Sequence, residues 1–322
     1  MRTYLKRKWC KNFLGATNVI ESVLKIAFSP IYKYDLPKGH RFPMDKYDLL
    51  PQQLLHEGTV TKDHFFHPEA LTDQEILTTH TSDYLSKLNT NLLTKKEQRA
   101  IGFPIREELI VRGKHIAKGT YLCAKYALEH GVAMNIAGGT HHSFADRGEG
   151  FCIFNDFAIA ANLLLLEKQV ERILIVDLDV HQGNGTAKLF EQDDRVFTLS
   201  MHGEKNYPLK KEKSDLDIGV PDGITDTDYI SLLKQHLPRT INEFGPDMIF
   251  YLAGVDVLAT DKLGRLALTR EGCKTRDRFV FEQAKSRSIP VAVSMGGGYS
   301  EQIRDIIEAH ANTFRVAQEL YF

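Results

Sequence analysis

The 322-residue chain has little of what marks nucleic-acid-binding, membrane-spanning or secreted proteins. Its 41 Lys and Arg residues are balanced by 42 Asp and Glu residues, so the chain has no basic surplus to attract a nucleic-acid backbone. No uninterrupted apolar stretch has the length of a secretory or transmembrane segment. The four cysteines, Cys10, Cys123, Cys152 and Cys273, lack metal-type spacing and are typical of reduced thiols. We therefore expect a cytoplasmic protein with no nucleic-acid partner and no transmembrane segment.

Linkers, repeats and nucleotide-binding loops are absent as well. No proline-rich or serine-rich tract divides the chain, and neither G-x-G-x-x-G nor G-x-x-x-x-G-K-[ST] occurs. Residues 1–28 form a basic segment with no acid before Glu21, which we expect to be helical and packed on the domain. A transit peptide or a membrane-surface helix has a similar composition. We expect residues 29–322 to form a single domain.

Short apolar runs alternate with longer segments of helical periodicity, which predicts an α/β fold. The predicted strands are 132–139, 172–180, 195–202, 247–256 and 290–298. The predicted helices are 117–131, 155–169, 227–244 and 276–288, with Gly131 and Gly245 at two helix ends and a surface loop at 209–217. Several runs are apolar on both faces, which indicates a central parallel sheet flanked by helices on both faces. Ligands bind at the carboxyl ends of such strands.

Two carboxylates and an imidazole follow the apolar start of the 172–180 run. If the strand continues, Asp177, Asp179 and His181 share one face. A buried acid costs several kcal/mol unless a cation or partner compensates it. Asp256 ends the 247–256 run in the same way, so Asp179, His181 and Asp256 are predicted to form an O,N,O ligand set with an open position, as in catalytic zinc sites. For either acid of the 172–180 run taken alone, the favoured alternative is a turn or helix-cap role for Asp179 and a solvated carboxylate for Asp177.

A histidine pair follows a double glycine at another strand end. Gly138 and Gly139 precede His141 and His142, and glycines allow the backbone to approach a ligand closely. Adjacent histidines can face one cleft, where one acts as a base and the other as an acid or an electrostatic stabiliser. Histidine pairs are also common on protein surfaces, so the pair alone is weak support.

A tyrosine follows three glycines at the last predicted strand. Tyr299 comes directly after residues 296–298, where a phenol is well suited to donate a hydrogen bond to a developing oxyanion. An ordinary packed tyrosine is the alternative. Gly148 and Gly150 suggest a tight wall near this cleft, and Phe151 an apolar one.

Together these motifs resemble a known family. GGTHH, GFCIFND, DLDVHQGNGT, AGVD and GGGY, in this order, closely resemble the zinc-dependent histone deacetylases from about residue 29 to the end of the chain. HQGNG, HHSFADRGEGFC and HRFPMDKY resemble the class IV branch and its bacterial relatives. The resemblance implies the arginase-deacetylase fold, with a parallel sheet of about eight strands. It also implies hydrolysis of an acylated lysine on a protein or peptide, and class IV relatives are associated with long fatty acyl groups.

The resemblance also implies roles for individual residues. The zinc ligands would be Asp179, His181 and Asp256. The catalytic groups would be His141, His142 and Tyr299. A structural potassium ion would be bound by Asp177, Asp179, His181, Ser200 and Met201. The hydrogen-bond partners of the two histidines would be Asp177 for His141 and Asn184 for His142. The substrate-binding residues would be Gly139, Gly150, Phe151 and Gly297.

One departure from the family pattern concerns the second histidine. Asn184 stands where class I members have an aspartate. A neutral partner stabilises an imidazolium ion less than a carboxylate does, so we expect a lowered pKa for His142.

Three alternative functions are considered, two with related chemistry and one from a different class. A ureohydrolase of this fold needs two manganese ions and a D-x-D motif, which Asp256-Val257-Leu258 lacks. An acetylpolyamine amidohydrolase would hydrolyse a small acyl-amine with the same residues. A metal-binding interaction module with little activity is the third, and the intact Tyr299, His141 and His142 argue against it.

Overall fold

One parallel sheet organises the part of the chain that the computed structural model describes, residues 23–322. Its eight strands are β1 (Lys25–Ala27), β2 (Phe65–Phe66), β3 (Val132–Asn135), β4 (Ile173–Asp177), β5 (Val196–Gly203), β6 (Leu216–Val220), β7 (Met248–Leu252) and β8 (Val291–Ser294). The strand order is β2-β1-β3-β8-β7-β4-β5-β6, and every pairing is parallel. The predicted sheet is confirmed.

Helices flank this sheet. Within residues 23–322 they are α1 (Lys46–His56), α2 (Asp73–Ile76), α3 (Ser82–Asn89), α4 (Lys95–Ile101), α5 (Glu107–His130), α6 (Asp156–Leu166), α7 (Asn184–Phe190), α8 (Asp226–Phe244), α9 (Arg270–Lys285) and α10 (Ile303–Tyr321). The helices form two packed groups. In the first, α5 packs on α6; in the second, α9 packs on α8 and α10, and α1 packs on α10. Because β3, β4, β7 and β8 are buried at every position, both faces of the sheet are covered.

The strand register brings the site together. Asp177, the last residue of β4, lies opposite Ser200 of β5 and Leu252 of β7, and Leu252 lies opposite Ser294 of β8. The carboxyl ends of β4, β7 and β8 are therefore level at one edge, whereas β5 continues past Ser200 to Gly203. All the chemical motifs predicted from the sequence follow strands that end at this edge.

The five predicted strands and four predicted helices all occur, with different bounds. Helices α5 and α8 end at Gly131 and Gly245, as predicted, and both glycines have positive φ, 88° and 65°. Helix α5 begins at Glu107, well before residue 117. Strand β6 begins at Leu216, so the predicted loop 209–217 is wrong at its last residues. Buried positions of β6 alternate with exposed ones, as expected of a strand at the sheet edge.

The alternation argument for Asp177, Asp179 and His181 is wrong in its geometry. Strand β4 ends at Asp177, so Asp179 and His181 lie in the turn after it. The backbone N–H of Asp179 donates to Oδ1 of Asp177 at 3.1 Å, and that of His181 donates to Oδ1 of Asp179 at 2.9 Å. These two hydrogen bonds to carboxylates stabilise a turn, so the chain does not continue as a strand after Asp177.

The N-terminal segment is described only in part. Residues 25–27 of the predicted 1–28 segment form β1, which pairs with β2 and β3 inside the sheet. Residues 1–22, on which the predicted basic helix mainly falls, lie outside the described residues.

Candidate active site

The three predicted metal ligands converge after β4 and β7. Asp179, His181 and Asp256 are buried, and one ligand atom of each lies within 4.8 Å of the others. Nδ1 of His181 is 3.0 Å from Oδ1 of Asp179 and 3.2 Å from Oδ2 of Asp256. The structure therefore brings the predicted set together.

The electrostatics of this cluster fit a bound cation. Burial and the neighbouring charge of Asp179 raise the pKa of Asp256 to about 7. Oδ2 of Asp256 is fully buried without a hydrogen-bond partner. Burial opposes a charged His181 ring, but the hydrogen bond to Asp179 and the nearby carboxylate of Asp256 outweigh it and raise the pKa of His181 to about 10. A metal ion would satisfy the orphaned oxygen and both negative charges, and two oxygens with one imidazole nitrogen suit zinc.

The predicted glycine loop lies directly against the carboxylates. The backbone N–H of Gly297 donates to Oδ2 of Asp179 at 2.9 Å. A Cβ at Gly297 would lie 1.9 Å from Oδ2 of Asp256 and 2.7 Å from Oδ2 of Asp179. No side chain fits there, which explains the need for glycine at this position.

The histidine pair has the predicted partners. Nδ1 of His141 lies 2.6 Å from Oδ2 of Asp177, and Nδ1 of His142 lies 2.6 Å from Oδ1 of Asn184. Because both oxygens are acceptors, both Nδ1 atoms donate. The ring centroids are 4.1 Å apart, and both rings are buried. Each Nε2 atom is left free of these bonds.

The two histidines have opposite pKa shifts. Burial opposes charge on His141, but the carboxylates of Asp177 and Asp179 outweigh it and raise its pKa to about 9. Burial lowers the pKa of His142 well below its usual value, and the positive charges of His141 and His181 lower it further. The pKa of His142 is lowered, as expected, but burial is the main cause, and the hydrogen bond to Asn184 itself acts in the opposite direction. The pair thus contains one charged and one neutral ring at neutral pH.

Tyr299 is held as a protonated donor. Burial, followed by the negative charges of Asp256 and Asp179, raises the pKa of its phenol well above the usual value. Its backbone N–H donates to Oδ2 of Asp261 at 2.6 Å, and Oδ1 of Asp261 accepts from the backbone of residues 263 and 264. Sequence reasoning missed Asp261, whose only signal is an acid before a turn glycine.

Comparisons with known proteins show the family of this chain. The model of the histone deacetylase domain matches residues 40–314. The chain belongs to the histone deacetylase family. It is 42% identical over 296 residues to an uncharacterized protein of Picosynechococcus sp., covering 92% of this chain and 99% of that one. It is 30% identical over 298 residues to histone deacetylase 2 of Arabidopsis thaliana, covering 89% and 77%.

More distant relatives agree on the fold. Histone deacetylase 1 of Homo sapiens is 28% identical over 295 residues, covering 83% of this chain and 59% of that protein. The crystal structure of the HDA15 HD domain has a TM-score of 0.79 at 23% identity, covering 92% of this chain and 88% of that one. The arginase-deacetylase fold predicted from the motifs is therefore confirmed, and the chain is a hydrolase of the deacetylase family. Of the helices in residues 23–322, none combines the length and hydrophobicity needed to cross a membrane.

This deacetylase has a small cavity between the histidines, the metal cluster and Tyr299. Its volume is about 50 Å³. All four predicted substrate-binding residues line it: Gly139, Gly150, Phe151 and Gly297. A Cβ at Gly150 would lie 2.6 Å from Cδ2 of His142, so that wall is backbone in direct contact with the ring.

Aromatic side chains form the outer wall of the cavity. The Phe151 ring, on a residue with φ of 69°, lies 5.1 Å from Phe103, 5.3 Å from Phe42 and 6.1 Å from Tyr299 between centroids. Phe42 also lies 5.9 Å from Tyr299. Sequence reasoning missed Phe42 as a wall residue and Phe103 as a ring packed against the wall, because only long-range packing brings them to Phe151.

The predicted potassium residues share one strand edge. Ser200 and Met201 are buried on β5, and Ser200 lies opposite Asp177 in the register. Oγ of Ser200 is 2.9 Å from Nδ1 of His202. A site that uses backbone carbonyls cannot be tested by side-chain grouping, so potassium stays a prediction.

Proposed function

We propose that the chain is a zinc-dependent hydrolase of N-ε-acyl-lysine on a protein or peptide. Its proposed catalytic domain comprises the predicted residues 29–322 together with strand β1, which lies inside the same sheet. The observation that carries this proposal is one cavity lined by His141, His142, Tyr299 and two of the three clustered metal ligands, Asp179 and His181. Membership of the histone deacetylase family supports it. The three buried free thiols, Cys123, Cys152 and Cys273, support a reducing, cytoplasmic location.

Asp179, His181 and Asp256 would hold the zinc ion. When bound there, zinc supplies a Lewis acid for the amide carbonyl and lowers the pKa of a water molecule. Three protein ligands leave a position open, as catalytic zinc requires. We further propose a potassium ion held by Asp177, Asp179, His181, Ser200 and Met201, which the shared edge of β4 and β5 supports.

His142 is the proposed general base and acid. Its lowered pKa keeps the ring neutral, and its Nδ1–H is bound to Asn184, so Nε2 carries the lone pair. The ring takes a proton as water attacks the amide and returns it to the leaving lysine amine. The products are a free lysine and a carboxylate. His141, charged beside Asp177, gives electrostatic support.

Tyr299 is the proposed oxyanion donor. Its raised pKa keeps the phenol protonated, and a buried O–H donor is worth most where water is excluded. Asp261 fixes the backbone from which the ring extends.

The size of the cavity supports a short acyl group. A volume of about 50 Å³ holds only a few water molecules. An acetyl group matches this space, whereas a long chain requires the Phe42 and Phe151 walls to move. The class IV-like motifs favour long acyl groups, so cavity and resemblance lead to different expectations. We expect acetyl-lysine to be preferred.

A panel of substrates tests this proposal. We expect the zinc-loaded protein to hydrolyse an acetyl-lysine peptide faster than the same peptide with octanoyl or myristoyl, and faster than acetylspermidine. Faster myristoyl removal would contradict the short-chain assignment, and faster acetylspermidine hydrolysis would favour the polyamine alternative. No turnover of any substrate by zinc-loaded protein would contradict the enzyme and favour an interaction module.

A further inference from the structure

A carboxylate that the proposed mechanism does not use lies behind Asn184. Glu149 is on the loop between β3 and α6, and its side chain is 20% exposed. Its Oε2 accepts from the Tyr207 hydroxyl at 2.9 Å and lies 3.5 Å from Nδ2 of Asn184. Since Oδ1 of Asn184 is 2.6 Å from Nδ1 of His142, a chain of polar contacts runs from the ring to the carboxylate.

The position of Glu149 is fixed by its surroundings. The two residues after it, Gly150 and Phe151, donate backbone hydrogen bonds to the carbonyls of residues 100 and 101 at 3.0 and 2.7 Å. Oε1 of Glu149 accepts from Nε of Arg147 at 2.8 Å. One carboxylate oxygen is thus occupied by the arginine, which directs the other toward Asn184 and Tyr207.

The same oxygen also fixes a ring that packs on the histidine. The rings of Tyr207 and His142 form a T-shaped contact, with their centroids 4.9 Å apart and an angle of 86° between their planes. Among residues 23–322, Glu149 is the hydrogen-bond partner of the Tyr207 hydroxyl. Two neighbours of His142, Asn184 and Tyr207, therefore depend on one carboxylate.

The chemistry of an amide makes this arrangement consequential. An asparagine side chain has an accepting oxygen and a donating nitrogen, and half a turn about its last bond exchanges them. A carboxylate only accepts, so Glu149 favours the orientation with Nδ2 toward itself and Oδ1 toward His142. In the reversed orientation, Nδ1 of the neutral ring would have to accept, and the proton would sit on Nε2. An Nε2 that carries the proton cannot act as a base.

We propose that Glu149 is a positioning residue that sets the amide orientation of Asn184 and thereby holds His142 in the Nδ1–H tautomer. The role differs from that of an aspartate partner, which accepts from Nδ1 whichever oxygen it presents. An asparagine partner needs a second residue to fix its direction, and Glu149 supplies it. The inference rests on the proposed function, because that function assigns His142 its proton transfers.

Glu149→Ala tests the proposal through kcat and KM. We expect kcat on acetyl-lysine peptide to fall at least about tenfold, since a wrong histidine tautomer is costly in catalysis, with little change in KM. The matched control is Asp146→Ala, which removes an acid of the same loop that contacts Arg147 but not Asn184. Equal kcat values in the two variants would overturn the proposal.

Asn184→Asp separates orientation from a general loss of structure. In the Asn184→Asp background, residue 184 has two accepting oxygens and needs no fixed orientation. We therefore expect Glu149→Ala to lower kcat less than about twofold there. An undiminished loss in that background would overturn the proposal. If Glu149→Ala does not fold, Glu149→Gln keeps the size and one acceptor, and we expect it to retain part of kcat. If Glu149→Gln turns over substrate as fast as the wild type, the proposal that the negative charge of Glu149 orients the Asn184 amide is also overturned.

The ring nitrogens provide a readout that does not depend on activity. In ¹⁵N-histidine-labelled protein, with His142 assigned by His142→Gln, we expect the wild type to have the proton on Nδ1 and Glu149→Ala to show a mixture of tautomers. An unchanged tautomer would overturn the inference. A wild type that turns over no acyl-lysine but has this tautomer dependence would refute the proposed function and leave the positioning role intact.

Discussion

At the scale of single residues, the account depends most on the Tyr299 phenol. We expect Tyr299→Phe to lower kcat about 10²–10³-fold, the usual cost of removing one oxyanion donor, while zinc stays bound. Turnover of acetyl-lysine peptide and zinc content by atomic spectrometry measure the two effects. Full activity in a zinc-loaded Tyr299→Phe variant would refute the oxyanion role.

The residues predicted from sequence and those missed differ in how their positions arise. Asp179, His181 and Asp256 could be predicted because polar groups directly after buried strands meet at one sheet edge. Asp261 and Glu149 could not, because their roles depend on contacts with Tyr299 and Asn184 that lie far away in sequence. Sequence position encodes the first kind of proximity and not the second.

At the scale of helices and strands, length and burial decide what the sequence reveals. Strands β4, β7 and β8 are apolar on both faces and could be predicted, whereas β1 and β2, of three and two residues, are too short for a periodic pattern. Helix α10 has buried positions at helical spacing, Ile306, His310, Phe314 and Ala317. That spacing is visible in the sequence and predicts a helix there.

An ion pair between helices gives a prediction at this scale. Arg315 of α10 donates from Nε and Nη2 to the two carboxylate oxygens of Glu57, which ends α1, at 2.9 and 2.5 Å. Burial works against the charged carboxylate, but the bonds from Arg315, Thr59 and Gln53 outweigh it and lower the pKa of Glu57 below 4.5. The pair therefore stabilises the fold above pH 4.5, and this contribution is lost as pH falls through the lowered pKa.

Glu57→Gln measures this contribution. We expect the variant to lose about 1 kcal/mol in free energy of unfolding at pH 7 by urea titration, and the difference from wild type to shrink as the pH is lowered below Glu57's usual value. Glu308→Gln is the control, because Glu308 also binds Arg315 but lies on the same helix. An equal loss in both variants, or a difference that does not depend on pH, would contradict the role of the pair between helices.

At the scale of the whole molecule, the sheet brings distant segments to one site. Residues after β3, β4 and β8 line the cavity, and Asp256 after β7 joins the metal cluster beside it, because these four strands are adjacent and parallel. The family fold could be identified from the motifs alone, and the structure agrees. The bounds of the cavity could not, because its outer wall is formed by aromatic rings from separate loops.

Zinc titration of the metal-free protein tests the central claim, metal-dependent hydrolysis at Asp179, His181 and Asp256. We expect turnover of acetyl-lysine peptide to rise in proportion to bound zinc and to level off at one ion per cluster, with Asp256→Asn failing to bind zinc tightly or to gain activity. Turnover that is independent of zinc, or equal in Asp256→Asn, would contradict the account.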